Sequence, residues 1–364
     1  MMDDRTTTTW GPLAPTLALA LTLALATGCP GEAGTTGEAG SSGDSTTDGT
    51  PTSAGTGTDA TTVTTVTSAG TGDSGVVDTG TGEESGETST EGSGDSTTGT
   101  PGEPGPDLRL AGPLAVQVQT DTEPLPTGCS MSYDLYTPEG QGDAPVVVLA
   151  HGFQGNRGTM AGWAEHWASW GVRVVAPDLC HASIIDTDHP QNGDDLRALV
   201  TALGLGPVIY AGYSAGGLAA VLAASEDGQA VALLGLDMVD ASGLGLAAAP
   251  GVAAPAFDIV GEPSMCNTTN NGLAVFGATA DGRALRITDA DHCDFQSPAD
   301  FLCGLTCAAG SGGFDDAQIE LAVLGLSTAV VGWQSGVEPT GAQWWTPGEH
   351  YYEELTGSGL VQEP

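Results

Sequence analysis

Pro207-Val208-Ile209-Tyr210-Ala211-Gly212-Tyr213-Ser214-Ala215-Gly216-Gly217-Leu218-Ala219-Ala220-Val221-Leu222-Ala223-Ala224 is the stretch that decides the fold. Residues 207–211 form a short continuous apolar run, the pattern of a strand buried on both faces of a parallel sheet. Residues 217–224 are small and apolar, which predicts a helix lying close on that sheet. Between them stands Gly-x-Ser-x-Gly. The pattern is informative in this strand–turn–helix setting, where a sharp bend crowds the serine backbone against its flanks. Side chains at Gly212 or Gly216 would clash, and the bend lifts the Ser214 hydroxyl above the sheet edge. Ser214 also stands where the next helix begins, and the free backbone donors there favour negative charge.

The flanking sequence repeats the same rhythm. Residues 129–136 alternate as an antiparallel strand. The Val-rich run 144–150 ends at His151-Gly152-Phe153, a Trp-rich amphipathic helix covers 158–170, and strand 172–177 and helix 193–203 follow. Beyond the bend, strand 231–236 exits at Asp237, strands occupy 256–260 and 284–288, and a long helix covers 316–333. Alternating strands and helices predict an α/β domain with a doubly wound, mostly parallel sheet. Residues 107–364 hold all of it, a size that one domain commonly reaches.

The preceding residues read differently. Residues 1–29 carry an apolar run from about residue 13 to 26, preceded by Arg5 and closed by Leu25-Ala26-Thr27-Gly28-Cys29. The run is too short for a span of about 20 residues, and its layout is that of a secretory signal. Its ending resembles the bacterial lipoprotein signal, which implies that Cys29 carries lipid and anchors the chain to a membrane at the cell envelope. Ordinary cleavage nearby would instead leave a secreted protein. Residues 30–106 are almost wholly Gly, Ser, Thr, Pro, Ala, Asp and Glu, which predicts a disordered acidic linker. The whole chain has a formal net charge of −39, and its 7 basic residues are all arginine. That balance speaks against partners such as nucleic acid or an anionic membrane surface. Apart from Cys29, six cysteines remain, an even number that favours disulfides in an exported chain. A Cys266–Cys293 bridge would tie two loops together, and no spacing suggests a metal site.

A serine hydroxyl needs a base to become a nucleophile, and the base belongs after a late strand. His292, in Asp289-Ala290-Asp291-His292-Cys293-Asp294-Phe295, fits that position. The acid that orients it has three candidates. Asp237 is favoured for its clean strand exit, Asp240 lies three residues beyond, and Glu262 precedes Pro263, which restricts its backbone. The backbone N–H groups of Phe153 and Ala215 are the expected oxyanion donors. Trp163, Trp167 and Trp170 recur at helical spacing and read as core.

His151-Gly152-Phe153, Gly212-Tyr213-Ser214-Ala215-Gly216-Gly217, Gly235-Leu236-Asp237-Met238-Val239-Asp240 and Asp291-His292-Cys293-Asp294-Phe295, in this order, resemble the chlorophyllase-like and polyester-hydrolase (cutinase-like) branch of the α/β-hydrolases, over roughly residues 125 to 335. The resemblance implies an α/β-hydrolase fold and ester cleavage through an acyl-enzyme, without a cofactor. Polyester hydrolases carry their acid a few residues after the glycine matching Gly261, where this chain has Ser264, Met265 and Cys266. The Gly-Leu-Asp exit is similar instead to chlorophyllases and pancreatic-type lipases, which supports Asp237. No large insertion separates Asp237 from Phe257, so a site without a lid is expected. A thioesterase or peptidase would use the same residues, and a non-catalytic surface-binding protein on a hydrolase scaffold is the rival from another class.

Overall fold

The leader with Cys29, and nearly all of the linker, lie outside the residues described by the computed structural model of this protein, which are 103–307 and 312–364. Strands β1 (Val116–Pro124) and β2 (Ser130–Pro138) form an antiparallel hairpin. After β3 (Val146–Ala150) and β4 (Arg173–Pro177) comes a small hairpin of β5 (Ala182–Ser183) and β6 (Asp186–Thr187). Then follow β7 (Val208–Tyr213), β8 (Ala232–Leu236), β9 (Ala256–Val260), β10 (Gly282–Ile287) and β11 (Val361–Gln362). All but β5 and β6 join one 9-stranded sheet in the order β1-β2-β4-β3-β7-β8-β9-β10-β11. The six strands from β4 to β10 run parallel, and β1, β2 and β11 are antiparallel edges.

Helices α1 (Ala161–Ser169), α2 (His189–Ala202), α3 (Ala215–Glu226), α4 (Leu244–Ala248), α5 (Gly272–Phe276), α6 (Phe301–Thr306), α7 (Asp316–Ser335) and α8 (His350–Ser358) complete the domain. None of the described helices is long and apolar enough to cross a membrane. The sheet is covered on both faces, which is why its central strands read as unbroken apolar runs. Val147, Leu149, Ile209 and Ala211 pack in one core with α1, α7 and α8. Their neighbours Val146, Val148, Ala150, Val208 and Tyr210 point the other way, into a core with α2 and α3. Burial of each such side chain contributes about 1.5–3 kcal/mol.

Local signals set the helix ends. Asp315 and Gln318 form a capping box at the start of α7, and Gly336, left-handed at φ 79°, ends it. Trp163 and Trp167 of α1 are buried to 1% and 0% exposure, as core residues. Trp163 and Trp170 also donate their indole N–H groups to the carbonyls of Phe295 and Leu110. Glu103 and Gly105 already bond to the side chains of Gln343 and Tyr351, so ordered contacts start a few residues before the expected domain boundary at 107.

All six of these cysteines pair, but not as expected in one case. The bridges are Cys129–Cys180, Cys266–Cys307 and Cys293–Cys303. The expected Cys266–Cys293 bridge is therefore wrong. Its two loops are joined through α6 instead, because Cys303 and Cys307 stand one helical turn apart and each reaches one loop.

Candidate active site

Parallel register places the key residues side by side at one sheet edge. Tyr213 is level with Leu236, and Leu236 with Ile259. The next residues, Ser214, Asp237 and Gly261, leave the carboxyl ends of β7, β8 and β9. Ladder bonds run one step past the strands, from Ser214 N–H to Leu236 O (3.1 Å) and from Asp237 N–H to Ile259 O (2.7 Å). Ser214 sits at φ 52°, ψ −121°, a backbone region that L-residues avoid. The bend has no room for flanking side chains. A Cβ on Gly212 would stand 2.3 Å from Gly216 O, and one on Gly216 would stand 2.3 Å from His151 O.

Ser214, His292 and Asp237 meet in one hydrogen-bonded row. Ser214 Oγ lies 3.0 Å from His292 Nε2, and His292 Nδ1 lies 2.6 Å from Asp237 Oδ2. The three are buried, at 8%, 5% and 0% exposure. His292 opens a short 3-10 turn (His292–Phe295) capped by Asp291, whose carboxylate accepts from Cys293 N–H. Tyr213 packs its ring against the imidazole, with centroids 4.8 Å apart. Behind the turn, the Cys293–Cys303 bridge ties it to α6.

The other two acids do different work. Asp240 accepts from the N–H groups of Gly245 (2.7 Å) and Leu246 (3.2 Å), capping the first turn of α4. Glu262 accepts from Asp289 N–H at 3.3 Å and so steadies the loop before His292. Neither reaches the imidazole.

Sequence reading overlooked Asn267. Its side chain is fully buried and donates to both oxygens of Asp237 (3.3 and 3.2 Å) and to Glu262 O (2.8 Å). Its own oxygen accepts from Ser264 N–H and Asn270 N–H, which fixes the amide's orientation. Gly261 N–H adds a further donor to Asp237 at 3.1 Å. The loop that delivers Asn267 holds three successive non-glycine residues, Thr268, Thr269 and Asn270, at positive φ. Strain of this kind costs about 1–3 kcal/mol per residue and survives where surrounding contacts impose it. Here those contacts are the Asn267 bonds and the Cys266–Cys307 bridge. The signal available in sequence was an Asn-rich run after Cys266, which has no fixed meaning until the partner carboxylate is known.

The loop after β3 is built around His151. Its Nδ1–H donates to Gly152 O (2.7 Å), and its Nε2 accepts from Leu179 N–H (2.9 Å). Burial depresses its pKa, so the neutral form required by that pattern is the stable one. The N–H groups of Phe153 and Ala215 find no acceptor among the described residues. Gly152 is obligatory, since a Cβ there would stand 2.7 Å from the Tyr213 ring. Donor atoms close enough to hold a metal occur among the described residues only at Cys129, Cys180 and Asp195, and both sulfurs are committed to a disulfide.

Asp258, on β9, carries a cost. It is fully buried, and among the described residues no side chain hydrogen-bonds to either oxygen. Burial, and then the nearby Asp237 carboxylate, push its pKa well above the ordinary range, against a weak opposing pull from the Met238 backbone. An acid whose folded pKa is raised destabilises the fold as pH rises above its unfolded value near 3.9, because the unfolded chain then releases a proton that the folded one keeps. Asp258→Asn should therefore raise the melting temperature at pH 7, by the equivalent of about 1–3 kcal/mol, and the gain should vanish toward pH 4. Calorimetry across that range checks both the sign and the window.

No family model matches this chain, and no curated protein does either.

Proposed function

We propose that this chain is a serine hydrolase with the α/β-hydrolase fold that cleaves carboxylic esters through an acyl-enzyme. The observation that carries this reading is the continuous row from Ser214 Oγ through His292 to Asp237, with links of 3.0 and 2.6 Å. With Nδ1–H given to Asp237, Nε2 is left as an acceptor and takes the Ser214 proton as Oγ attacks the ester carbonyl. The carbonyl oxygen gains negative charge and is received by the amides of Phe153 and Ala215, which have no acceptor among the described residues. Each such donor is worth about 3 kcal/mol in the transition state. His292 then gives its proton to the departing alcohol, leaving Ser214 acylated. A water, deprotonated by the same nitrogen, attacks the acyl carbon and releases the acid.

The resemblance to the chlorophyllase-like branch supports this reading, and the three-bridge disulfide framework fits its placement in an oxidising compartment outside the cytoplasm. Anchoring through lipidated Cys29 belongs to the same proposal. A fluorophosphonate probe tests the central claim. The purified chain should label stoichiometrically at Ser214, as located by peptide mass spectrometry, and lose esterase activity in step. Absence of label on the folded chain would sink the hydrolase reading in favour of a binding protein.

A further inference from the structure

Asp237 is fully buried, and among the described residues its one ion-pair partner is His292. The other charges that face it are acids. Asp258 lies on the neighbouring strand β9 and Asp294 on the turn that carries His292, and both, raised mainly by burial, also feel the Asp237 charge. A buried carboxylate among acids depends on N–H donors. Gly261 N–H serves Oδ1 at 3.1 Å, and Asn267 Nδ2 serves both oxygens, at 3.3 and 3.2 Å.

The oxygen nearest the imidazole, Oδ2 at 2.6 Å from His292 Nδ1, is one of the two that the amide spans. A quarter turn of the carboxylate would break these contacts together. The amide cannot follow such a turn, because its oxygen is held by Ser264 N–H and Asn270 N–H (2.8 and 3.2 Å) and its nitrogen also donates to Glu262 O (2.8 Å). One residue earlier, Cys266 is bridged to Cys307. Asn267 is thus placed from several sides, and it is fully buried, so it presents nothing to a bound ester.

We propose, resting on the hydrolase reading above, that Asn267 is a positioning residue of the reaction, whose amide fixes the rotation of Asp237 that keeps His292 aligned on Ser214. Its effect falls on the chemical step and leaves substrate binding alone. Asn267→Asp is the deciding substitution, since it keeps the size and an oxygen for the Ser264 and Asn270 amides but replaces the donor by an acid. Ionised, the new carboxylate would face Asp237, Asp258 and Asp294 in a buried space, so it holds its proton well above the ordinary carboxylate range. While it keeps that proton, its O–H stands in for the amide N–H. Once the proton leaves, two carboxylates repel and Asp237 loses its rotation. Activity of this variant is therefore present at low pH and lost as pH rises, the reverse of the loss at low pH that a protonated His292 causes.

The experiment uses the full chain and p-nitrophenyl butyrate between about pH 6 and about pH 8.5, a window that spans the titration of a buried acid. Asn267→Ala should lower kcat by about 10–100-fold with KM within about twofold of the parent. For Asn267→Asp, the ratio of kcat to that of the parent should fall by about tenfold or more across the same window. Proton NMR supplies a readout that needs no turnover: the low-field resonance of His292 Nδ1–H bonded to Asp237 should be lost in Asn267→Ala, and in Asn267→Asp should be present at the acid end and lost at the alkaline end. Parent-like kcat in both variants, a raised KM with unchanged kcat, a ratio independent of pH, an unaltered resonance, or loss of the fold in both variants at every pH overturns the proposal. If the unmodified chain cleaves no ester the hydrolase reading fails separately, and the resonance still decides whether Asn267 holds the acid on the imidazole.

Discussion

Ser214→Ala is expected to lower kcat/KM on p-nitrophenyl butyrate by about 10⁴–10⁶-fold while leaving the melting temperature within a few degrees of the parent. Loss of the nucleophile removes the acyl-enzyme route altogether, and what remains over water comes from binding and the oxyanion donors. Ser214→Gly gives a more discriminating result. Ser214 holds φ 52°, ψ −121°, a conformation in which a Cβ is unfavourable and its absence is tolerated. The glycine variant should therefore be as inactive as the alanine variant yet more stable than the parent, by about 1 kcal/mol after the entropic loss in the unfolded chain is set against the strain relieved. Stability gained by removing a residue together with all activity is the signature of a strained functional position. A glycine variant less stable than alanine would show that the bend is not strained.

Asp237→Asn is the second large effect. His292 Nδ1 is 2.6 Å from Asp237 Oδ2, and an amide there can present N–H to the imidazole, favouring the tautomer whose Nε2 carries the proton and cannot act as base. A loss of about 10⁴-fold in kcat with little change in KM is expected. Asp240→Asn and Glu262→Gln supply the contrast. Asp240 is engaged with the Gly245 and Leu246 amides, so its replacement should cost about 1 kcal/mol of stability through the cap and leave kcat within a few-fold. Glu262→Gln should leave kcat similarly unaffected. Pre-steady-state kinetics of the three variants, with thermal melts, separates orientation of the base from support of the fold. A dead Asp240 variant with an active Asp237 variant would reverse the assignment.

The parts of this molecule that were legible from sequence are those in which one constraint acts alone. The strands β3, β7 and β8 are buried on both faces, so continuous apolar runs mark them within a residue or two, and β9 is marked the same way despite Asp258 in its middle. The bend at Ser214 is marked by two glycines that steric contact requires. Strand β1 escaped because it lies at an exposed edge, where the alternation of Val116 and Val118 with Gln stops after two repeats and Thr, Asp and Glu then serve on both faces. Helix α8 and strand β11 have little apolar content of their own and are held through contacts such as Trp344 stacked on Tyr351 at 4.3 Å. The bridges could not be read because Cys303 and Cys307 act through a helix whose position depends on the fold. Asn267 was invisible for the same reason, since its importance lies in a carboxylate thirty residues earlier in the chain.

The loop between β9 and α5 carries no reacting atom, because the acid leaves from β8. Its duties are the bonds of Gly261 and Asn267 to Asp237, the Ser264 and Asn270 amides that orient Asn267, the contact of Glu262 with the loop before His292, and the bridge from Cys266 to Cys307. Positions outside these contacts, the exposed Met265 among them, can change without displacing the serine, the imidazole or the acid. Variation is thereby confined to a few outward-facing positions while the row from Ser214 to Asp237 keeps its dimensions.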